Sequence, residues 1–235
     1  LFVSPEAACK SLLIVLFELA KVGALDSVIL DEAHMVDEWG AEFRPYYQIL
    51  SAILRSLRAL CPVDNGIKCF LMSATFTDKS IETIRDLFAS TDTSVVEIHG
   101  GFLRPEIQYS VSKVADFDFD NAILTAAKIL PKPLIIYMIK PFEAERFAKK
   151  LQRLGIKRVN TFTGQTPDSE RGKLLKLWGA GDIDIMVATS AFGMGVDKGN
   201  VRSILHAGVP TNMDAFYQQV GRGGRDGLGC QSLLV

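Results

Sequence analysis

The sequence predicts an α/β protein built of two parallel-sheet domains, and three observations carry that reading. Helix-like and strand-like segments alternate along the 235 residues, as they do in βα units whose strands pair in parallel. Two short runs rich in apolar residues, Val28-Ile29-Leu30 and Lys68-Cys69-Phe70-Leu71-Met72, each end abruptly in polar groups. That is how strands end at the edge of an open sheet where ligands bind. Gly100-Gly101 then lets the chain change direction cheaply. The boundary is placed there, with residues 1–100 in the first domain and 101–235 in the second.

Taken in order, Leu1-Phe2-Val3-Ser4-Pro5-Glu6 reads as a strand already in progress, so the first domain is expected to be incomplete at its N-terminus. Ala7 to Val22 sets Leu12, Leu13, Leu16, Leu19 and Ala20 at helical spacing before Gly23 closes the helix. Val28 to Leu30 carries no polar alternation, which suits a strand buried on both faces. Tyr46 to Leu60 is an amphipathic helix, Lys68 to Met72 a strand, Ile81 to Phe88 a helix and Val95 to Ile98 a further strand. In the second half, helices at Asn121–Leu130, Glu143–Leu154 and Ser169–Trp178 alternate with strands at Leu134–Tyr137, Arg158–Phe162 and Ile183–Ala188.

Composition narrows the class. With 48% hydrophobic and 23% charged residues the chain is an ordinary globular protein able to bury real cores. Its four cysteines, Cys9, Cys61, Cys69 and Cys230, form no CxxC pair and no ligand-spaced set with histidine, so neither a zinc site nor a disulfide framework is indicated. No apolar run is long enough to cross a bilayer and no secretory leader pattern is visible; a cytoplasmic protein with reduced thiols is expected. A net charge of -1 is not that of a generally basic nucleic-acid binder, so any such site must be local.

The chemistry concentrates in a few stretches. Asp31 and Glu32 follow the first strand directly. A pair of carboxylates there can divide the labour of nucleotide hydrolysis: Asp31 as a hard oxygen ligand for Mg²⁺, Glu32 as the base that orients and deprotonates water. The competing structural reading is that Asp31 caps a following helix and Glu32 complements its dipole. Trp39, Phe43 and Arg44 sit in a loop punctuated by Gly40 and Pro45. They either pin that loop to the core or meet a strand of nucleic acid. Ser73 and Thr75, after the second strand, can bond the carboxylate loop or cap the next helix. Thr189 to Lys198 includes Gly193 and Gly195, which allow close backbone approach to a phosphate. Gln218 to Gly227 sets Arg222 and Arg225 among small residues. This is either a mobile surface turn or a carrier of an arginine that answers charge on a γ-phosphate.

Together these blocks resemble the helicase core of the RecQ family of superfamily-two ATPases, in its divergent bacterial forms, across nearly the whole chain. Asp31-Glu32-Ala33-His34 resembles the Walker B block, Trp39-Gly40 with Phe43-Arg44-Pro45 the aromatic-rich loop, and Ser73-Ala74-Thr75 the third motif. Arg104-Pro105 resembles the opening of the second domain, Val187 to Lys198 with Asn200-Val201-Arg202 the fifth motif, and Tyr217 to Gly227 the sixth. The resemblance implies two RecA-like domains and ATP with Mg²⁺ as cofactors. It further implies single-stranded and duplex DNA as partners, with hydrolysis driving translocation and unwinding in the 3'-5' sense. Residue by residue it implies Asp31 on Mg²⁺, Glu32 as base, and His34 with Gln218 linking nucleotide to the interdomain contact. Arg222 and Arg225 would complete the site, with Arg225 as the finger. Gly195 and Asp197 are expected on the nucleotide side. Trp39, Phe43, Arg44, Ser73, Thr75 and Thr189 are expected to couple DNA to hydrolysis.

Two departures temper the expectation. No GxxxxGK[ST] phosphate loop occurs in the sequence, and Met138-Ile139-Lys140-Pro141 replaces the family's polar residues in the fourth motif. The chain alone is therefore expected to be inactive. Two rival functions remain: an ATP-driven DNA translocase that remodels without unwinding, and a nonenzymatic nucleic-acid-binding module.

Overall fold

A computed structural model of the chain describes residues 1–36, 46–62, 66–89, 95–100, 102–193 and 197–235, without the side chains of 47 and 48. The chain divides into two units, Leu1–His99 and Gly100–Val235.

In the first unit, β1 (Ser27–Leu30) pairs in parallel with β2 (Lys68–Leu71), Val28 opposite Cys69 and Leu30 opposite Leu71. Val28, Leu30, Cys69 and Leu71 face the core, whereas Ile29 and Phe70 are 59% and 49% exposed. The strand expected to be buried on both faces is thus covered on one only; an unbroken apolar run hides which of its residues find a partner. The covering helices are α1 (Pro5–Cys9), α2 (Leu13–Lys21), α3 (Tyr46–Leu60) and α4 (Asp78–Phe88). Leu54, Leu57, Ile84 and Phe88 close that core with Ala20, Ala33 and Val36.

The expected helix from Ala7 to Val22 is two helices, the first started by Ser4, whose hydroxyl accepts from Ala7 N, with Pro5 in the first turn. Residues 1–4 form no strand, because Leu1 and Phe2 have nothing to pack on and are fully exposed. Val95 to Ile98 forms none either, for the same reason: Val96 and Ile98 stand in solvent. The cap of α4 is Thr77, in a reciprocal pair with Ser80, and not Ser73 or Thr75.

The second unit is a six-stranded, all-parallel sheet of order β3-β8-β7-β4-β6-β5. Its strands are β3 (Ile107–Val111), β4 (Leu134–Met138), β5 (Val159–Phe162), β6 (Ile185–Ala188), β7 (Ser203–Ala207) and β8 (Cys230–Leu234). Alternate residues of the central strands feed opposite cores. Leu134, Ile136, Ile185, Val187 and Leu205 pack with α5 (Phe119–Ile129) and α6 (Pro141–Arg153). Ile135, Tyr137, Met186, Ala188 and Ile204 pack with Trp178 of α7 (Asp168–Ala180) and Val220 of α8 (Met213–Val220). Both faces of β4, β6 and β7 are therefore dry, as parallel strands require. Among the described residues no helix is long and apolar enough to cross a membrane, and all four cysteines are free.

Candidate active-site residues

At the carboxyl end of β1 the chain turns sharply, and Glu32 takes a left-handed backbone conformation, φ +53°. Asp31 Oδ1 accepts from Glu32 N at 3.0 Å, a local bond that shapes the turn. The turn is fixed to the neighbouring strand by main-chain bonds: Met72 N donates to Leu30 O and Ala33 N to Met72 O, each at 2.9 Å. A short 3-10 turn, Ala33–Val36, follows. It buries Ala33 and Val36 and swings His34 towards β2.

His34 Nδ1 lies 2.8 Å from Ser73 Oγ and 3.2 Å from Glu32 Oε2. Ser73 Oγ donates its single proton to Thr75 O at 2.6 Å and accepts from Thr75 N at 3.1 Å. His34 Nδ1 thus stands between the Ser73 hydroxyl and the Glu32 carboxylate, within reach of both. Asp31, Glu32, His34, Ser73 and Thr75 are thus brought into one corner. A carboxylate with a lone solvent face fits Mg²⁺, which is ordinarily held by one or two carboxylates with phosphate and water completing the shell. Asp31 is exposed and offers such oxygens. Among the described residues there is no cluster of three ligating side chains, and this mode of binding needs none.

The second unit carries the arginines. After α8 the chain makes a tight turn from Gly221 to Gly229 and enters β8. Gly224 N donates to Val201 O at 3.0 Å and Asp226 N to Gly199 O at 3.2 Å, while Asp226 forms a bidentate ion pair with Arg202. The turn is consequently bonded to the residues that lead into β7. Arg222 points inward: Nη1 donates to Gly193 O at 2.6 Å, and its Nε is buried without an acceptor. Arg225 points outward, with Nε on Gly221 O at 3.2 Å and Nη1 3.6 Å from Asp197 Oδ1. The Asp197 side chain is 92% exposed, so this ion pair is screened and weak.

Beneath Arg222, Tyr137 donates its hydroxyl to Phe192 O at 3.2 Å and stacks on His206. Burial pushes the Tyr137 phenol up to about 12, against the pull of Arg222 and Arg225. Burial likewise drives His206 down to about 4, with the bond to Gln219 opposing it. Thr189 is buried, its amide on Phe162 O at 3.2 Å. Gln218 is half-buried on α8, and its side chain makes no hydrogen bond among the described residues. Trp39, Phe43, Arg44 and Gly195 lie outside the described residues.

Residues 1–84 match the DEAD/DEAH box helicase family and residues 127–227 the helicase conserved C-terminal domain. The whole chain is 32% identical to the RecQ-like DNA helicase blm-1 of Caenorhabditis elegans. Over 88% of its length it is 30% identical to the ATP-dependent DNA helicase RecQ of Bacillus subtilis. It is a RecQ-family homologue. The RecQ-like chain spans 23% of the first of these relatives and 34% of the second. Its fold is that of solved superfamily-two helicases. The helicase MrfA bound to DNA superposes with a TM-score of 0.72 at 20% identity, over 98% of this chain and 34% of that one. Saccharomyces cerevisiae Dbp5 bound to RNA and ADP BeF3 gives 0.65 at 20%, over 93% and 56%. Both units are accordingly parallel-sheet α/β domains of RecA-like type.

Sequence reasoning named Arg104 only as part of a block, and left Tyr137, His206 and Gln219 unassigned. A lone arginine before a proline carries no periodic signal. This polar trio is spread over two strands and a helix, and the sheet register sets Tyr137 opposite His206.

Proposed function

We propose that this chain supplies the catalytic carboxylates and the arginine finger of an ATP-dependent DNA helicase. In it, hydrolysis drives movement along single-stranded DNA and separation of the duplex. Residues 1–100 would be the C-terminal part of the first RecA-like domain and 101–235 the second. The single observation that carries the reading is the corner Asp31-Glu32-His34-Ser73, in which the Glu32 carboxylate and the Ser73 hydroxyl both approach His34 Nδ1. Asp31 would hold Mg²⁺, which supplies charge neutralisation on the phosphates when bound. Glu32 takes the proton of the attacking water, and His34 orients that carboxylate through Nδ1. Arg225 meets the charge developing on the γ-phosphate. Arg222, bound to Gly193 O, would steady the chain that follows β6, with Asp197 on the nucleotide side. Gln218 and Gly195 belong to the nucleotide side. Trp39, Phe43 and Arg44, with Ser73, Thr75 and Thr189, relay the presence of DNA. A cytoplasmic location is part of the same reading.

Because the sequence contains no GxxxxGK[ST] loop, the 235-residue chain alone is expected to hydrolyse no ATP above background, and the test belongs in the full-length protein. There, Glu32→Gln should leave ATP binding intact while turnover falls by roughly a hundredfold to ten-thousandfold, the scale of general-base catalysis. Unchanged turnover removes Glu32 from the mechanism.

A further inference from the structure

The turn that presents Arg225 is held by a residue far away in sequence. Arg104 Nη1 donates to Gly221 O at 3.2 Å and to Gly223 O at 2.9 Å, and Nη2 to Gly224 O at 2.6 Å. One planar guanidinium therefore gathers three main-chain carbonyls of the turn that follows α8. Glu106 Oε2 sits 3.4 Å from Arg104 Nε, and Glu106 O accepts from Cys230 N at 2.8 Å. Tyr217 of α8 donates to Phe102 O at 3.1 Å. The segment from Phe102 to Glu106 is thus a strap fastened across the end of α8 and the start of β8. Gly221 O accepts from Arg104 and from Arg225 Nε together. The atom that orients Arg225 is the atom that Arg104 fixes.

We propose that Arg104 is a positioning residue for hydrolysis: it holds the Gly221–Gly224 main chain so that Arg225 is aimed before nucleotide arrives. The role rests on the reading of Arg225 as the finger. An ammonium cannot reproduce the fork. Lysine offers one point charge where the guanidinium engages three carbonyls along two edges, so Arg104→Lys is expected to behave more like alanine than like arginine.

The experiment compares Arg104→Ala, Arg104→Lys, Arg225→Ala and the Arg104→Ala/Arg225→Ala double variant in the full-length protein. DNA-stimulated ATP turnover and the labelling of Cys230 by a thiol reagent, followed by peptide mass, are both measured. Cys230 is buried and its sulfur lies where a Cβ on Gly223 would fall, so it reports directly on whether the turn stays closed. The expected result is a fall in kcat by about tenfold to a hundredfold for Arg104→Ala, the cost of a small misplacement, with KM for ATP little changed. Cys230 should label faster while the melting temperature holds, and the double variant should be no slower than Arg225→Ala alone. Additive losses in the double variant, or Cys230 labelling at the wild-type rate, overturn the positioning role. Slow Arg225→Ala with normal Arg104→Ala overturns this proposal and leaves the finger intact. Normal turnover in Arg225→Ala removes the finger, and this role with it, even where Cys230 opens.

Discussion

The carboxylate corner and the arginine turn solve the same problem, holding a reactive side chain at the end of a sharp bend, by opposite means. In the arginine turn the left-handed backbone falls on Gly224 and Gly227, φ +58° and +80°, where it costs little. The bend is secured by main-chain bonds to Val201 and Gly199 and by Arg104. In the carboxylate corner main-chain bonds to Met72 also hold the bend, but the left-handed residue is Glu32 itself, its carboxylate facing His34, whose ring in turn meets Ser73. A non-glycine residue in that region carries strain of about 1–3 kcal/mol. The acid side therefore stores strain in the reacting residue, whereas the basic side moves it onto residues that take no part.

The largest effect that tests this division is on turnover. Among the described residues Arg225 is held by Gly221 O and a screened pair with Asp197. Arg225→Ala in the full-length protein should lower turnover at saturating ATP by about a thousandfold, the scale of an arginine finger, with the fold and ATP affinity nearly unchanged. A loss of affinity with turnover preserved would make Arg225 a ground-state contact and Arg222 the finger.

Next in size is a pH effect confined to the second unit. His206 is neutral in the fold, its basicity lowered by burial to about 4 from 6.5. The unfolded imidazole takes a proton below 6.5, so stability from this group is complete above that pH and is lost as pH falls towards 4, by roughly 3 kcal/mol in all. His206→Gln keeps a partner for Gln219 and titrates nothing. The gap in unfolding free energy between it and the wild type should narrow steadily from pH 7 to pH 4 in urea titrations. A constant gap shows that His206 takes up a proton in the fold.

A smaller loss tests the packing of the turn. A Cβ on Gly223 would overlap the Cys230 sulfur, so Gly223→Ala should cost about 1–3 kcal/mol, the usual penalty of overpacking. Adding Cys230→Ala removes the obstructing atom and should recover part of that loss. If melting of the double variant shows no recovery, the turn is held by something other than this contact.

These contrasts explain what the sequence could and could not disclose. Helix α3 coincides with its apolar periodicity from Tyr46 to Leu60, and β4 and β6 were readable because dry parallel strands are unbroken apolar runs. Strand β7 was missed: Ser203 and His206 interrupt its apolar pattern, and both are buried only because neighbours on each side cover them. Strand β3 escaped notice because Gln108, Ser110 and Val111 at the sheet edge are exposed. The carboxylates were legible because two acids after an apolar run are a local signal. The grip of Arg104 on the turn joins residues 117 to 120 positions apart, and no local pattern encodes it.

The smallest predicted effect bears most directly on the difference between the two bends. Replacing a surface residue by glycine ordinarily costs a few tenths of a kcal/mol to about 1 kcal/mol through the entropy of the unfolded chain. At Glu32 that cost is opposed by release of the left-handed strain, about 1–2 kcal/mol for an L-residue, against loss of the exposed contact to His34. Glu32→Gly should therefore be as stable as the wild type or more stable by up to about 1 kcal/mol, although turnover collapses. Glu32→Gln is the control: it loses the base and keeps the strained backbone, so the difference in melting between the two variants isolates φ from chemistry. The glycine variant should melt at or above the glutamine variant. The opposite substitution at Gly227, whose added Cβ meets no neighbour within 4 Å, should lower stability by a comparable amount through φ alone. If Glu32→Gly melts well below Glu32→Gln, the strain assigned to Glu32 is absent, and the two bends differ in their partners but not in where they carry the cost.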